Sequence, residues 1–295
     1  MMCMSYLFLF CFSLLYIIFF INNTQILQTT TYDTFNIFLK VLLPSIIPMY
    51  IMSNILINNK ITQTLLSKLK PLFKVFDSTY SISLFVSSIF LGNPTSIINI
   101  ISSYKKNKIS YDDTMILLKS CSFINPLFII NFCKENKLME LSYYIIFINI
   151  FTNYLLLIIH KHKNTKNVTN FDKCDIFKLL NNSTLILFNV FIIFYFINII
   201  KSLIYTIDLN IYLKIIFDFL EVTSGINNLI KYPISLNIKK ILISLLISSC
   251  GLCIILQSLN EIKKVPNNRH FINQYLIGRF YQILINTLLF LIFLH

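Results

Sequence analysis

The sequence predicts an all-α polytopic membrane protein with two related halves, broken helices and re-entrant hairpins. Three observations carry that prediction. Of the 295 residues 56% are hydrophobic and 13% charged, against about 25% charged in soluble domains, and the mean hydropathy is +0.72. Apolar runs near the length of about 20 residues that spans a bilayer recur along the chain. Several of these runs carry Pro or Gly at their centres. Usage is also skewed: there is no Ala or Trp, while Ile, Phe, Asn, Lys and Tyr, the residues of AT-rich codons, abound. In a chain that avoids glycine, Gly92, Gly225, Gly251 and Gly278 mark places where the backbone needs one.

In chain order, Ser5 to Ile21 is preceded by no Lys or Arg and followed by no small-x-small cleavage site, so it reads as a retained transmembrane helix. The run 35–57 holds Pro44 and Pro48. Ile61 to Phe76 alternates Lys68, Lys70 and Lys74 with Leu and Phe around a proline, the pattern of a helix lying in the interface. Further runs follow at 79–101, with Gly92 and Pro94, 114–133, with Pro126, and 139–159. The polar stretch 160–182 divides the chain, and runs at 183–206, 210–230, 237–258 and 274–294 complete it.

The halves on either side of that stretch share short matches. Phe38-Leu39-Lys40-Val41-Leu42-Leu43 resembles Tyr212-Leu213-Lys214-Ile215-Ile216-Phe217, and Ser87 to Gly92 resembles Ser248 to Leu252, each followed by a basic loop. These matches pair run 35–57 with run 210–230 as re-entrant hairpins. Repeats with broken helices at corresponding positions build midplane sites in transporters. The basic loops near 105, 161–178 and 263–269 then share one side, which the positive-inside rule makes cytoplasmic, while the lysines of 60–74 fall on the other.

The net charge of +13 is spread over short loops, with no basic domain and no aromatic platform, so nucleic acid is not an expected partner. Lysine at membrane edges snorkels to headgroups. The seven cysteines lie mainly in apolar segments; Cys250 and Cys253 have half-site spacing but no second ligand pair, and no metal or cofactor is expected. His-Lys-His-Lys at 160–163 reads as a wet membrane edge. No nucleophile elbow, phosphate loop or zinc-protease helix is present, so an enzyme is not expected.

Three constellations remain for chemistry. In Leu91-Gly92-Asn93-Pro94-Thr95-Ser96, Gly turns the chain, Asn caps and Pro opens a half-helix, so that the N–H groups of Thr95 and Ser96 face a cavity suited to an anion. Asn125-Pro126 repeats the device, preceded by Ser122. Asp218, Glu221, Thr223, Ser224 and Gly225 form the second. A carboxylate inside a bilayer costs about 2.5–3.5 kcal/mol on the insertion scale, so Glu221 is expected to face a cavity, to be paired or to be protonated, and helical spacing puts it on one face with Asp218, a pairing suited to holding a proton. The third is Ser248-Ser249-Cys250-Gly251-Leu252 with Gln257. The cations inside apolar runs, Lys119, Lys201 and Arg279, read as snorkelling or paired side chains; Lys119, one turn from Ser122, is the first of them to test as the partner of an anion.

Taken in order, Leu42-Leu43-Pro44-Ser45-Ile46-Ile47-Pro48, Gly92-Asn93-Pro94-Thr95, Ile109-Ser110 before Asp112-Asp113, Cys121 to Ile129, Glu221 to Gly225, and Cys250 to Cys253 with Gln257 resemble the sporulation integral membrane proteins that carry the nucleoside-recognition (Gate) domain. The resemblance covers about 36–290. It implies a transporter-like protein of spore-forming bacteria, whose best-understood type moves dipicolinic acid across the outer forespore membrane, and a domain similar to part of the concentrative nucleoside transporters with their paired hairpins. It implies site positions at Gly92, Pro94, Thr95, Asn125, Pro126, Glu221, Thr223, Gly225, Gly251 and Gln257. Asn93 and Ser96 stand where the family has an aromatic and a glycine, and Cys250-Gly251 where it has a double glycine, departures that bear on substrate more than on fold.

The expected organisation is therefore an N-terminal helix and loop (1–35), a first Gate-like half (36–160), a polar basic linker (161–182) and a second half (183–295). The expected function is transport of a small anionic metabolite, dipicolinic acid first, in the cell membrane or outer forespore membrane. The alternatives are a nucleoside or other metabolite carrier and a non-transporting sporulation scaffold. Substrate-binding residues are Gly92, Asn93, Pro94, Thr95, Ser122, Asn125, Thr223, Ser224, Gly225, Gly251 and Gln257, with Glu221 coupling to a proton or ion and Lys119 facing the anion. The partners are the lipid bilayer and the solute, and a homo-oligomer is compatible with these features.

Overall fold

The computed structural model describes residues 13, 17, 18, 20–76, 78–135, 138–159 and 176–293. Most of the expected helix at 5–21 and most of the linker at 161–182 lie outside that set. The described elements are all helical. Five helical stretches are long and apolar enough to cross a membrane: Thr24–Asn58, Met139–Ile158, Leu179–Ile204, Leu236–Ile262 and Arg269–Phe293.

The first stretch joins α1 (Thr24–Ile37) to α2 (Leu43–Asn58) through a π-helical turn at Phe38–Leu42. It is continuous, so run 35–57 is no re-entrant hairpin. The π-helical turn stands directly before Pro44, where a proline removes an N–H from the helical ladder, and Pro48 lies inside α2 without breaking it. Helix α3 (Lys60–Lys68), capped by Asn59, and a 3₁₀ turn at Lys70–Phe73 follow. They bury Leu66 and Phe73 and expose Ile61, Leu65, Leu69 and Leu72 beside the lysines.

Helices α4 (Thr79–Leu91) and α5 (Thr95–Lys105) form a hairpin. Tyr80 at the start of α4 reaches Ser103 near the end of α5, hydroxyl to hydroxyl at 3.4 Å, which only antiparallel arms allow. The tip is Gly92-Asn93-Pro94, with Gly92 at φ +66°. Helices α6 (Tyr111–Ser120) and α7 (Pro126–Glu135) are two pieces interrupted at 121–125, both packed along α8 (Met139–Ile158). Ser110 caps α6 by accepting from Asp113 N, with Asp112 and Asp113 in the first turn favoured by the helix dipole.

After α9 (Ile176–Ile204) the same kinds of element recur. Helices α10 (Ile211–Asp218) and α11 (Val222–Lys231) form a second hairpin, because Asp218 at the end of α10 accepts from Asn228 Nδ2 and Tyr232 OH, both at 2.8 Å, near the end of α11. Asp218 and Glu221 therefore do not share a helical face; the tip separates them. Helices α12 (Leu236–Ser249) and α13 (Gly251–Ile262) are interrupted at Cys250, which adopts φ +63°. Helix α14 (Arg269–Phe293) closes the described chain.

The molecule carries large apolar side chains on its outside and buries polar residues among the apolar ones of its interior. Phe147, Phe177, Phe280 and Ile292 are among the large side chains at its surface, while Ser96, Ser122, Thr152, Asn153, Asp218, Gln282 and Asn286 are fully buried. The buried polar residues serve the interruptions. At 121–125, Ser122 N donates to Asn153 Oδ1 (3.2 Å) and Ser122 O accepts from Asn153 Nδ2 (3.3 Å) and Gln282 Nε2 (2.6 Å). Gln282 and Asn286 continue to Asn149, and Asn286 to Thr152. None of these five partners was singled out from sequence, although Asn149/Asn153 and Gln282/Asn286, each four residues apart in an apolar run, are the pattern that would have found four of them.

Gly278 now has its reason: α14 crosses α6 so closely that a Cβ there would meet the Lys119 carbonyl oxygen and, at 2.8 Å, its Cα. Gly278→Ala should force the helices apart and lower stability by about 1–3 kcal/mol, read as an earlier thermal transition of the detergent-solubilised protein; an unchanged transition would contradict the close crossing.

Candidate functional site

Each hairpin tip bonds to the interruption that follows it. Asn93 N donates to Phe123 O at 2.7 Å, and Leu252 N and Cys253 N donate to Phe219 O and Leu220 O at 3.0 and 2.9 Å. Gly92 permits the first contact, since a Cβ there would strike the Asn125 backbone, and Gly225 lets the two arms of the second hairpin approach, since a Cβ there would strike the Asp218 carbonyl. Gly251, at φ +62°, packs against Val222. Four irregular backbone segments are so drawn to the middle of the molecule.

They enclose a cavity. Asn93, Pro94 and Thr95 come from the first tip, Asn125 and Phe128 from the start of α7, Glu221 and Thr223 from the second tip, and Cys253, Ile254 and Gln257 from α13; Ser45 and Ile46 of α2 and Val190 and Phe194 of α9 close the sides. The space is about 70 Å³, where one water needs about 10–15 Å³ on the same kind of measure, room for several waters or one small solute.

Seven of the residues singled out from sequence meet here: Asn93, Pro94, Thr95, Asn125, Glu221, Thr223 and Gln257. Three present buried polar atoms with no partner in the protein, namely Asn93 Nδ2, Asn125 Nδ2 and Gln257 Oε1. A buried polar group left unpaired costs about 1–3 kcal/mol, so two donors and an acceptor around one space call for something that bonds to them.

Other polar atoms are committed. Glu221 caps α11: Oε1 accepts from Thr223 N (2.9 Å) and Thr223 Oγ1 (2.5 Å), and Oε2 from Ser224 N (2.7 Å). Asn125 Oδ1 accepts from Leu127 N at 2.8 Å, which starts α7. Ser96 N, expected to face the cavity, donates instead to Gly92 O (2.9 Å), and Ser96 Oγ to Asn93 Oδ1 (2.5 Å). That bond holds the Asn93 amide with its nitrogen free.

The remaining positions lie elsewhere. Ser122 is buried in the Asn153 and Gln282 network behind the interruption. Ser224 turns away from the cavity toward Lys201 and Asn198 of α9. Lys119 lies outside the cavity, its ammonium 5.9 Å from the Tyr281 ring centre, because its backbone is held against Gly278 of α14. Glu221 is the one formally charged residue among those lining the cavity.

Glu221→Ala leaves Thr223 N and Ser224 N without their cap, and a loss of about 0.5–2 kcal/mol is expected; Glu221→Asp, which retains a capping carboxylate, should recover most of it. Thermal unfolding of both variants in one detergent checks the order. Comparison of the chain with protein-family models, curated proteins and solved structures finds no match.

Proposed function

We propose that the protein is an integral membrane carrier that takes a small polar metabolite into the cavity between its two hairpin tips. One observation carries this reading: both tips and both interruptions converge on a single space in which Asn93 Nδ2, Asn125 Nδ2 and Gln257 Oε1 lack protein partners. Inside a bilayer, non-helical backbone is tolerated only where it is buried in protein or lines a cavity. Carriers use such places for their solutes.

The hairpins are read as re-entrant, and the chain as two related halves. Span, hairpin, interrupted helix and span follow in that order at 24–158, with α3 inserted after the first span, and again at 176–293. This register pairs 79–105 with 211–231 and 111–135 with 236–262, in place of the register suggested by the short sequence matches. Helix α3, with its outward Ile and Leu and its lysines, lies along the membrane surface.

The leading solute is dipicolinic acid. The resemblance to sporulation membrane proteins points to it. Its carboxylates suit the amide nitrogens of Asn93 and Asn125 near the N-termini of α5 and α7, whose dipoles favour negative charge without a lysine. Phe128 and Phe194 pack on a ring. A nucleoside is the second reading, favoured by Gln257 Oε1, an unpaired acceptor that wants a donor a dicarboxylate does not have.

Uptake of labelled dipicolinate into proteoliposomes tests the reading, with uridine as competitor. Asn93→Ala and Asn125→Ala each remove one donor and should lower uptake by about 10-fold, the effect of about 1.4 kcal/mol. Wild-type rates in both would sink the site, and uridine taken up in place of dipicolinate would establish the second solute. Absence of flux for either, with site variants that still rescue a deletion strain, would identify a scaffold. In the source organism, deletion should lower spore dipicolinate content, and external dipicolinate should restore it.

A further inference from the structure

Behind the second hairpin a polar cavity of about 160 Å³ lies between Asp33 and Thr34 of α1, Asn198 and Ser202 of α9, and Ser224 and Asn228 of α11. It stands end to end with the central cavity, because the same three parts of the molecule line both. On the first span Ile37 faces the polar cavity and Leu42 the central one. Along one side of α9, Val190 and Phe194 face the central cavity, and Asn198 and Ser202, one and two turns farther on, face the polar one. At the second tip Thr223 faces the central cavity and Ser224 the polar one. Asp33 is exposed and Ser202 and Asn228 are half-buried, so the polar cavity opens outward. From Phe194 to its end at Ile204, α9 rises about 15 Å at about 1.5 Å per residue, half of a hydrocarbon core about 30 Å thick.

An apolar layer separates the two cavities. Phe194, Ile197 and Cys253 are buried together, with Ile37, Leu42 and Leu220 packed on them. The π-helical turn at Phe38–Leu42 carries the first span across this layer, and π turns inside helices frequently mark functional sites. On the polar side the Lys201 ammonium is committed, 2.7 Å from Asp218 Oδ1 and donating to Ser224 Oγ at 2.9 Å. Ser224 Oγ in turn donates to Asn198 Oδ1 at 3.1 Å. That bond leaves Asn198 Nδ2 as the donor on offer: it is buried, in a residue 6% exposed, and has no partner in the protein. Asn93 and Asn125 present the same unpaired amide nitrogen to the central cavity.

We propose that the polar cavity is an outer binding site on the solute's path: a solute bearing an acceptor oxygen is held first by Asn198 Nδ2, then passes the apolar layer to the amides of Asn93 and Asn125. The path opens to the membrane face at which α9 ends. This inference rests on the carrier reading and adds to it the route by which the central cavity is reached.

The test uses the full-length protein in liposomes, with dipicolinate and uridine as solutes and thiol labelling mapped by mass spectrometry. Ser202→Cys places a thiol in the polar cavity. Its reaction with methyl methanethiosulfonate should leave uptake near that of the unlabelled variant, and reaction with the benzyl reagent should lower it about 10-fold or more, relative to wild type treated alike. A thiol that does not react, or equal effects of the two labels, overturns the path. Asn198→Ala should raise the KM for uptake about 10-fold, the effect of about 1.4 kcal/mol, with the maximal rate little changed; an unchanged KM overturns Asn198 as the outer donor. Ile197→Ala thins the apolar layer, so labelling of Cys253, which lines the central cavity and is 2% exposed, should quicken about 10-fold. Leu187→Ala, one turn before Val190 and away from the polar cavity, is the reference. No change, or an equal change in both variants, overturns the layer as the barrier. Cys253 labelling as expected without uptake of either solute removes those solutes and leaves the route, whereas wild-type uptake kinetics in Asn198→Ala and in benzyl-labelled Ser202→Cys remove the route and leave the carrier.

Discussion

A peptide group interrupted inside an apolar medium must find its hydrogen-bond partners in the protein, and this structure is organised around meeting that demand four times. The chain leaves the helix at 92–94, 121–125, 219–221 and 250. The first interruption bonds to the second through Asn93 and Phe123, and the third to the fourth through Phe219, Leu220, Leu252 and Cys253. What these bonds leave unsatisfied is taken up by Asn153 and Gln282 behind the second interruption and by the side-chain caps of Asn125 and Glu221 in front. The central cavity follows from the same arrangement, since the segments that pair with one another are also those that cannot pack like helices.

The buried charges follow the same logic. Asp218 and Lys201 form a pair whose further donors are all provided, an arrangement in which desolvation is offset only by good geometry. Glu221 is held by the N-terminus of α11, where backbone N–H groups and the helix dipole replace a cation. Arg279, 3% exposed, is the exception: Nη1 donates to the Cys250 thiol at 3.0 Å and the Tyr275 ring centre lies 5.6 Å from the guanidinium carbon, while Nε and Nη2 have no partner in the protein. Its place beside the interruption at Cys250 puts a positive charge near the C-terminal end of α12, where carbonyl groups are left free.

Much of the site was legible in the sequence because it depends on local chemistry. Gly92, Asn93 and Pro94 turn and restart a helix by their own conformational preferences, and Asn125-Pro126 does so again. In a chain with four glycines, three mark interruptions or close contacts beside them, and the fourth marks the crossing of α14 on α6. The hairpins were harder to see: a break at the centre of an apolar run is compatible with a kink or with a reversal, and only contacts such as Tyr80 with Ser103 and Asp218 with Asn228 decide between them. The continuous course of α1 and α2 shows the opposite outcome: Pro44 directly follows the π turn at Phe38–Leu42, and Pro48 lies inside α2 without breaking it.

By itself the sequence determined a helical, apolar chain with interruptions at particular glycines, prolines and asparagines, because propensity, capping and transfer from water are properties of single residues and near neighbours. Which interruptions meet, that Lys119 packs against α14 outside the cavity, and that Ser224 turns toward Lys201 while Thr223 turns toward the central space were decided by tertiary structure alone. These outcomes depend on which helices lie side by side, and that choice is made by packing and hydrogen bonding between residues as far apart as Ser122 and Gln282. No local rule carries information over such a separation.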